Sequence, residues 1–180
     1  MDRVLPDTYW VVPGLLLAGR YAGAVGDRAA RTRIGRLLDA GIRVFLDLTE
    51  EGELPSYYEF LRDRAITGRF DVRYVRRPIA DRTVPADDEL RQMLEIIEQC
   101  VASGEPVFVH CWGGIGRTGT VIGCWLAQNG YAGDAALQRL KELRDGCADS
   151  FWDSPEDEGQ REFVRAWTRR SAAPDVTPSE

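Results

Sequence analysis

Lysine and histidine are almost missing from this sequence of 180 residues, in which Lys141 and His110 are the only examples. All other basic residues are arginines, a bias that we attribute to GC-rich coding and that indicates a bacterial source. One histidine and scattered cysteines offer no tetrahedral or carboxylate-rich metal site, so we expect chemistry without a metal or another cofactor. The nucleotide-binding pattern G-x-x-x-x-G-K-[ST] is also missing, which excludes that kind of phosphate loop.

Long apolar runs and paired cysteine motifs are missing as well. No stretch approaches the ~18 apolar residues of a membrane span, and the first residues lack the layout of a signal peptide. The four cysteines, at positions 100, 111, 124 and 147, show no C-x-x-C spacing, and a chain of this size does not need disulfides. We therefore expect a cytoplasmic protein with reduced thiols.

The charge balance is acidic, with 23 basic and 29 acidic residues and a formal charge of −6. Because phosphate backbones and anionic lipids repel such a protein, we expect no nucleic-acid or membrane partner. Residues 62–82 depart from this balance, because they include seven arginines and three aspartates. They form either a solvated face or a patch that attracts a phosphorylated substrate. Residues 145–162 carry seven acids and one arginine, which we interpret as surface and helix-start charges.

Segments with strand patterns alternate with segments of helical periodicity. The strand candidates are residues 9–12, 15–18, 43–48, 72–75 and 106–109. The helix candidates are residues 28–40, 57–65, 87–102, 117–128 and 134–143. A last helix is expected to begin at Ser154, with Pro155 at its first position and Asp157 completing the cap.

This alternation predicts a single three-layer α/β domain with a mostly parallel central sheet of about four to five strands flanked by helices. Residues 1–170 are assigned to this domain, which has the usual size of one domain, and we expect it to be a monomer. Residues 171–180 are expected to form a disordered tail.

The segment 110–119, with the sequence HCWGGIGRTG, lies between a predicted buried strand and a predicted helix. A glycine-rich loop before a helix points backbone N–H groups into one concavity and adds the positive end of the helix dipole, so it should hold a tetrahedral anion. Arg117 can offer a planar, bidentate fork to two oxygens of that anion. The expected phosphate-binding residues are Trp112, Gly113, Gly114, Ile115, Gly116 and Arg117.

Cys111 stands at the start of this loop. Thiols at helix N-termini near arginine ionise more readily than free thiols, so we expect a thiolate nucleophile at neutral pH, with a buried structural cysteine as the alternative. His110 is not expected to act as its base, because adjacent residues at a strand end point to opposite faces. Cys124 is expected in the core of the following helix, and the alternative is a thiol that resolves oxidised Cys111.

The pattern H-C-x-x-G-x-x-R-T-G resembles the signature loop of the cysteine-based protein tyrosine phosphatases at every fixed position. The chain is most similar to the small dual-specificity-like branch, since it is short and lacks the additional phosphotyrosine-loop sequence of the large enzymes. The resemblance implies a metal-independent phosphatase that hydrolyses phosphate monoesters through a phosphocysteine formed on Cys111.

The same resemblance implies roles for further residues. Asp81, within residues 78–81, would be the general acid and then the base, whereas its rivals Asp87 and Asp88 lie where helix-start charges are expected. The other implied roles are stabilisation of the departing thiolate by Thr118, shaping of the loop by His110, and positioning of water by Gln160.

The substrate implied is a protein phosphotyrosine, with some phosphoserine or phosphothreonine. The loop lacks the lysines that often neutralise neighbouring phosphates in enzymes of inositol phospholipids, which disfavours polyphosphorylated substrates. Arg76, Arg77 or Arg82 could compensate from outside the loop. The alternatives are a phosphatase of small molecules, such as soluble inositol or nucleotide phosphates, and a catalytically inactive phosphate-binding module. An RNA 5′-phosphatase is disfavoured by the charge of −6.

Overall fold

Five short strands form one central sheet in the computed structural model, which describes residues 3–68 and 70–171. The strands are β1 (Thr8–Val12), β2 (Leu16–Gly19), β3 (Val44–Asp47), β4 (Arg73–Arg76) and β5 (Val107–His110). Their order across the sheet is β1-β2-β5-β3-β4, and every neighbouring pair except the β1–β2 hairpin is parallel. The predicted, mostly parallel sheet is confirmed.

The central strands β2, β3 and β5 are buried along their whole length, as expected for strands that are covered on both faces. In the register of the sheet, His110 lies beside Gly19 on one side and beside Asp47 on the other. The carboxyl ends of three parallel strands therefore meet at one edge, and the loop that follows β5 begins there.

Six helices, counted over residues 3–68 and 70–171, cover the two faces of the sheet. They are α1 (Asp27–Asp39), α2 (Tyr58–Gly68), α3 (Asp87–Ser103), α4 (Gly116–Gln128), α5 (Asp134–Arg144) and α6 (Glu158–Ser171). Apolar side chains of α1 and α2 pack against Phe45 and Phe108, whereas those of the other four helices pack against Val107 and Val109. Because alternate residues of a strand face opposite sides, this division gives the three layers that the sequence predicts.

The start of the last helix differs from the prediction. α6 begins at Glu158 rather than near Ser154, whose hydroxyl instead donates a hydrogen bond to the Ile115 carbonyl at 2.7 Å. Asp157 takes the capping place, because its Oδ1 accepts the backbone N–H of Gly159 at 2.9 Å. The expected cap at Ser154 was therefore wrong, since a long-range contact with the loop after β5 competes for its hydroxyl.

The predicted tail lies almost entirely outside the described residues: Ser171 is the last residue of α6, and residues 172–180 are not described. Within the two described ranges, no helix is both long enough and apolar enough to cross a membrane.

Candidate active site

The loop between β5 and α4 wraps around the sulfur of Cys111. Gly114 has a φ of +74°, and a Cβ atom there would lie 2.3 Å from the carbonyl carbon of Gly19, so the loop presses closely on the end of β2. Its backbone N–H donates a hydrogen bond to the Cys111 Sγ at 3.3 Å. This geometry directs a backbone donor at the sulfur, as the glycine-rich pattern predicts.

A cavity of about 220 Å³ opens above this loop. Cys111 is 2% exposed and contributes to its wall. The cavity is lined by Asp81, Arg82, Cys111, Trp112, Gly113, Ile115, Gly116, Arg117 and Glu156. The predicted phosphate-binding residues thus lie together, with the exception of Gly114, which turns toward β2.

Arg117 is buried and held by a carboxylate. Its Nη1 and Nη2 atoms donate to the two oxygens of Glu53 at 2.7 and 2.5 Å, and Nη1 also donates to the Ile79 carbonyl at 3.1 Å. Burial alone would lower the pKa of Arg117, but the hydrogen bonds that it donates to Glu53, together with the nearby charges of Glu53 and Asp81, raise the pKa overall. The same bonds lower the pKa of Glu53, so both groups are charged at neutral pH.

Asp81 lies at the mouth of the cavity, on the loop between β4 and α3. Its side chain is 54% exposed, and its Oδ1 lies 3.2 Å from the Arg117 Nη2. Among the three carboxylates that the sequence offers as the acid, Asp81 lines the cavity, whereas Asp87 and Asp88 lie in the first turn of α3. The structure therefore brings the favoured acid to the predicted nucleophile.

His110 lies in a buried network on the sheet face that carries α1 and α2. Its Nε2 is 2.5 Å from the Tyr57 hydroxyl, and its Nδ1 is 3.3 Å from the Cys111 carbonyl oxygen. Burial lowers the pKa of His110, so the ring is neutral at neutral pH. Because a carbonyl can only accept, Nδ1 carries the proton and Nε2 accepts the Tyr57 O–H, which fixes the first peptide of the loop.

Asp47 carries a charge beside this network. Its Oδ1 accepts the backbone N–H and the hydroxyl of Thr49 at 2.9 and 2.7 Å, and its Oδ2 accepts the Tyr74 hydroxyl at 2.6 Å. Burial alone would raise the pKa of Asp47, but the favourable partners, including the hydrogen bonds from Tyr74 and Thr49, lower it overall. Asp47 is therefore ionised under His110, whose Nδ1 lies 3.9 Å away.

Thr118 and Gln160 are both fully enclosed. The Thr118 hydroxyl is buried and makes no hydrogen bond with the described residues, which leaves it available to a partner in the loop. The Gln160 amide donates from Nε2 to the Thr83 carbonyl at 3.0 Å, which ties α6 to the loop that carries Asp81. Cys124 belongs to the hydrophobic core, as the sequence predicts.

Two carboxylates of the site were missed by sequence reasoning. Glu53 follows β3 in an acidic run, and Glu156 belongs to the acidic run 145–162, whose pattern predicts surface and helix-start charges. The adjacency of β3 and β5 could have pointed to Glu53, since loops after neighbouring parallel strands meet at one edge. No sequence pattern near Glu156 indicates a place in the active site, because only tertiary contacts bring its segment to the cavity. Among the described residues, no group of three or more His, Cys, Asp or Glu side chains is placed to hold a metal ion.

Comparison with known proteins matches residues 22–131 to a family model described as "Polymorphic toxin system, DSP-PTPase phosphatase". A putative tyrosine phosphatase, 067L, of Invertebrate iridescent virus 3 is 31% identical over 101 residues, which are 53% of this chain and 38% of that protein. The uncharacterized protein MJECL20 of Methanocaldococcus jannaschii is 32% identical over 93 residues, which are 52% of this chain and 58% of that protein. The matched regions thus span less than two thirds of the length of each of these curated relatives.

Solved structures of phosphatases share the whole fold. Tk-PTP in its active form superposes with a TM-score of 0.72 at 25% identity, covering 92% of this chain and 98% of that chain. The kinase-associated phosphatase KAP, with its catalytic cysteine substituted by serine, superposes with a TM-score of 0.73 at 19% identity, covering 88% of each chain. The second likeness concerns the fold alone.

Proposed function

This chain belongs to the DSP-PTPase phosphatase family of polymorphic toxin systems, and on that premise we propose that it hydrolyses phosphate monoesters through a phosphocysteine intermediate. One observation carries the proposal: the Cys111 sulfur accepts a backbone N–H in a loop whose Arg117 guanidinium is already fixed by Glu53. A nucleophile and a bidentate oxyanion ligand therefore face one cavity.

In the first step, the thiolate of Cys111 attacks phosphorus while the P–O bond to the leaving group breaks. Arg117 and the loop N–H groups bind the equatorial oxygens, where charge is concentrated in the transition state. Asp81 gives its proton to the leaving oxygen, a role that its exposed position at the mouth of the cavity supports. The product is an alcohol or phenol, and the phosphoryl group remains on sulfur.

In the second step, water displaces the thiolate from phosphorus. The buried hydroxyl of Thr118, which has no partner among the described residues, would donate a hydrogen bond to the departing sulfur. His110 holds the carbonyl of Cys111 and so fixes the direction of the nucleophile without exchanging a proton with the sulfur. Its role is that of a positioning residue.

The chemistry is tested by hydrolysis of p-nitrophenyl phosphate in excess EDTA, with the wild type, Cys111→Ser and added orthovanadate. We expect metal-independent turnover, a loss of at least ~10³-fold in Cys111→Ser because serine is not ionised at this pH, and inhibition by vanadate. A folded wild type without turnover on any phosphate monoester would contradict the proposal and favour a phosphate-binding module.

We propose phosphotyrosine in a protein as the preferred substrate. Trp112 lines the cavity beside Cys111 and is 53% exposed, so its ring can stack on the phenyl group of the substrate. Asp81 and Glu156 also line the cavity, and Arg82 and Arg117 balance their charges, so the lining offers no excess of positive charge for a second phosphate on the same small molecule.

The substrate preference is tested with a phosphotyrosine and a phosphothreonine peptide of the same sequence. We expect kcat/KM to be at least ~5-fold higher for phosphotyrosine, because a flat aromatic ester reaches the buried sulfur past Trp112 and gains ~1 kcal/mol from stacking. Trp112→Ala should narrow this ratio. Equal values of kcat/KM for both peptides, or an unchanged ratio in Trp112→Ala, would count against the preference.

We further propose that the protein works as a cytoplasmic monomer with reduced thiols. The four cysteines, all among the described residues, are buried and form no disulfide, which supports a reduced environment. Light scattering on a purified sample, together with thiol titration after unfolding, tests the monomer and the four reduced thiols.

A further inference from the structure

Glu156 is a second carboxylate in the catalytic cavity, in addition to Asp81. It lies on the segment before α6, which Ser154 ties to the loop by its hydrogen bond to the Ile115 carbonyl. A Cβ atom on Gly116 would lie 2.7 Å from the Glu156 Oε1. The carboxylate therefore stands directly over the residue that precedes Arg117.

Gln160 approaches the same point. Its side-chain oxygen lies 3.0 Å from that position over Gly116, and the residue is 1% exposed. Its Nε2, at 3.3 Å from the same position, donates to the Thr83 carbonyl, and since a carbonyl can only accept, this bond identifies the nearer atom as the Oε1. This Oε1 is buried and accepts no hydrogen bond from the described residues.

Two hydrogen-bond acceptors thus converge above Gly116, at the wall of the cavity that holds Cys111. Two acceptors cannot bond to each other, but one water molecule can donate one proton to each of them. A buried acceptor without a donor costs about 1–3 kcal/mol, so the site favours such a water. The oxygen lone pairs of that water remain free for phosphorus.

Asp81 and Glu156 are both exposed, but they contact different parts of the site. The Asp81 Oδ1 lies 3.2 Å from the Arg117 Nη2 at the mouth of the cavity, where a leaving group departs. Its neighbour Arg82 has a φ of +59°. The Arg82 Nη2 lies 3.8 Å from the Asp157 Oδ2, so the loop that carries Asp81 contacts the segment that carries Glu156. The two carboxylates enter the cavity from different segments, one near the guanidinium and one near Gly116.

We propose that Glu156 is the general base of the second step, whereas Asp81 is the general acid of the first step. This proposal rests on the proposed phosphatase function. The water held by Gln160 and Glu156 attacks phosphorus, and the P–S bond breaks with its electron pair passing to the sulfur of Cys111. The water gives one proton to the Glu156 carboxylate, and inorganic phosphate leaves. Glu156 is thus a catalytic residue, and Gln160 positions the water.

The proposal is tested by stopped-flow hydrolysis of p-nitrophenyl phosphate with Glu156→Gln. Phosphorylation of Cys111 should remain fast, so we expect a burst of about one p-nitrophenol per active site and a value of kcat/KM within about threefold of the wild type. The steady-state kcat should fall by ~10²-fold or more, because hydrolysis of the phosphocysteine has lost its base. Intact mass after acid quench should show the phosphorylated enzyme.

Three further variants sharpen the test. Gln160→Met should also lower kcat and keep the burst. Asp81→Asn should instead lower kcat/KM for phosphotyrosine, remove the burst with that substrate and flatten the descending limb of its pH profile. Asp153→Asn, an exposed carboxylate three residues before Glu156, is the matched control and should behave as the wild type.

A Glu156→Gln enzyme with wild-type kcat, or one that loses kcat and kcat/KM equally without accumulating phosphoenzyme, overturns the role of Glu156. An inactive wild type overturns the phosphatase function itself, so the two failures are distinguishable. Retention of the wild-type circular dichroism spectrum and melting temperature by Glu156→Gln separates loss of the base from loss of the fold.

Discussion

Glu53 aligns the guanidinium of Arg117 before a substrate arrives. Both carboxylate oxygens bond to the fork, and the Ile79 carbonyl bonds to it as well. An arginine without these partners would lose side-chain freedom on binding phosphate, which would raise the free-energy barrier of the reaction. Alignment in the free protein removes part of that cost.

We expect Glu53→Gln to destabilise the protein by about 1–3 kcal/mol at neutral pH, because the buried Arg117 would lose a charged acceptor. The pKa of Glu53 is lowered in the folded state by its bonds to Arg117. The stabilisation by the charged form is therefore complete above the ordinary carboxyl range of about 4.3 and disappears as the pH falls through the folded pKa. Urea unfolding of both proteins at several pH values measures this difference.

Glu51→Gln is the matched control, since Glu51 is exposed on the same loop. It should change neither the unfolding free energy nor its pH dependence by more than a few tenths of a kcal/mol. A Glu53→Gln protein whose instability is the same at pH 3 and at pH 7 would show that the ion pair does not stabilise the fold.

At the scale of elements, the end of β2 shapes the phosphate loop. The carbonyl carbon of Gly19 occupies the space that a side chain on Gly114 would need, and the φ of +74° at Gly114 disfavours any residue with a Cβ atom. The loop and the strand end therefore fit only when position 114 is glycine.

Gly114→Ala should displace the loop and lower kcat/KM by ~10²-fold or more, because displacement of about 1 Å at a catalytic loop has effects of that size. Gly113→Ala is the comparison, since a Cβ atom there would be no closer than 3.9 Å to the side chain of Ile115. Its loss of kcat/KM should be much smaller. Equal losses in the two variants, measured with p-nitrophenyl phosphate, would show that the contact with Gly19 does not matter.

Most elements could be predicted from the sequence, because the buried strands and amphipathic helices leave local periodic patterns. The segment 154–157 could not, since the Ser154 hydroxyl bonds to a carbonyl 39 positions earlier in the chain. Arg117 and Glu53 are 64 positions apart. The sequence predicts the role of Cys111 because ten adjacent positions carry the whole motif. The places of Glu53 and Glu156 in the cavity depend instead on contacts between loops that are distant in the sequence.

At the scale of the whole molecule, the arginines of residues 62–82 do not form one basic patch. Five of them make ion pairs with carboxylates in different parts of the structure: Arg62 with Glu59, Arg64 with Asp39, Arg73 with Glu105, Arg76 with Asp47 and Arg82 with Asp157. Arg69 lies outside the described residues. This pairing supports the solvated face rather than the attracting patch, and it leaves the charge of −6 to dominate the approach of a substrate.

We therefore expect salt to raise kcat/KM for an acidic phosphopeptide. Between about 0.01 and 0.15 M ionic strength the screening length falls from ~30 to ~8 Å, which weakens repulsion between the peptide and the protein. A phosphopeptide with flanking arginines should show the opposite dependence and is the control. A fall in kcat/KM with salt for the acidic peptide would indicate that a basic surface guides it to the cavity.

The contact between the end of β2 and the phosphate loop also limits which parts of the chain can be exchanged in evolution. The stretch that matches the family, residues 22–131, excludes Gly19 and β2, and it also excludes the segment with Glu156 and Gln160. A recombination event that exchanged only that stretch between members of the family would join a catalytic loop to a foreign strand end and to a foreign segment in place of the one that carries Glu156 and Gln160. We therefore expect the three-layer domain to be inherited as one unit. Chimeras with a junction inside this domain should lose activity and be selected against.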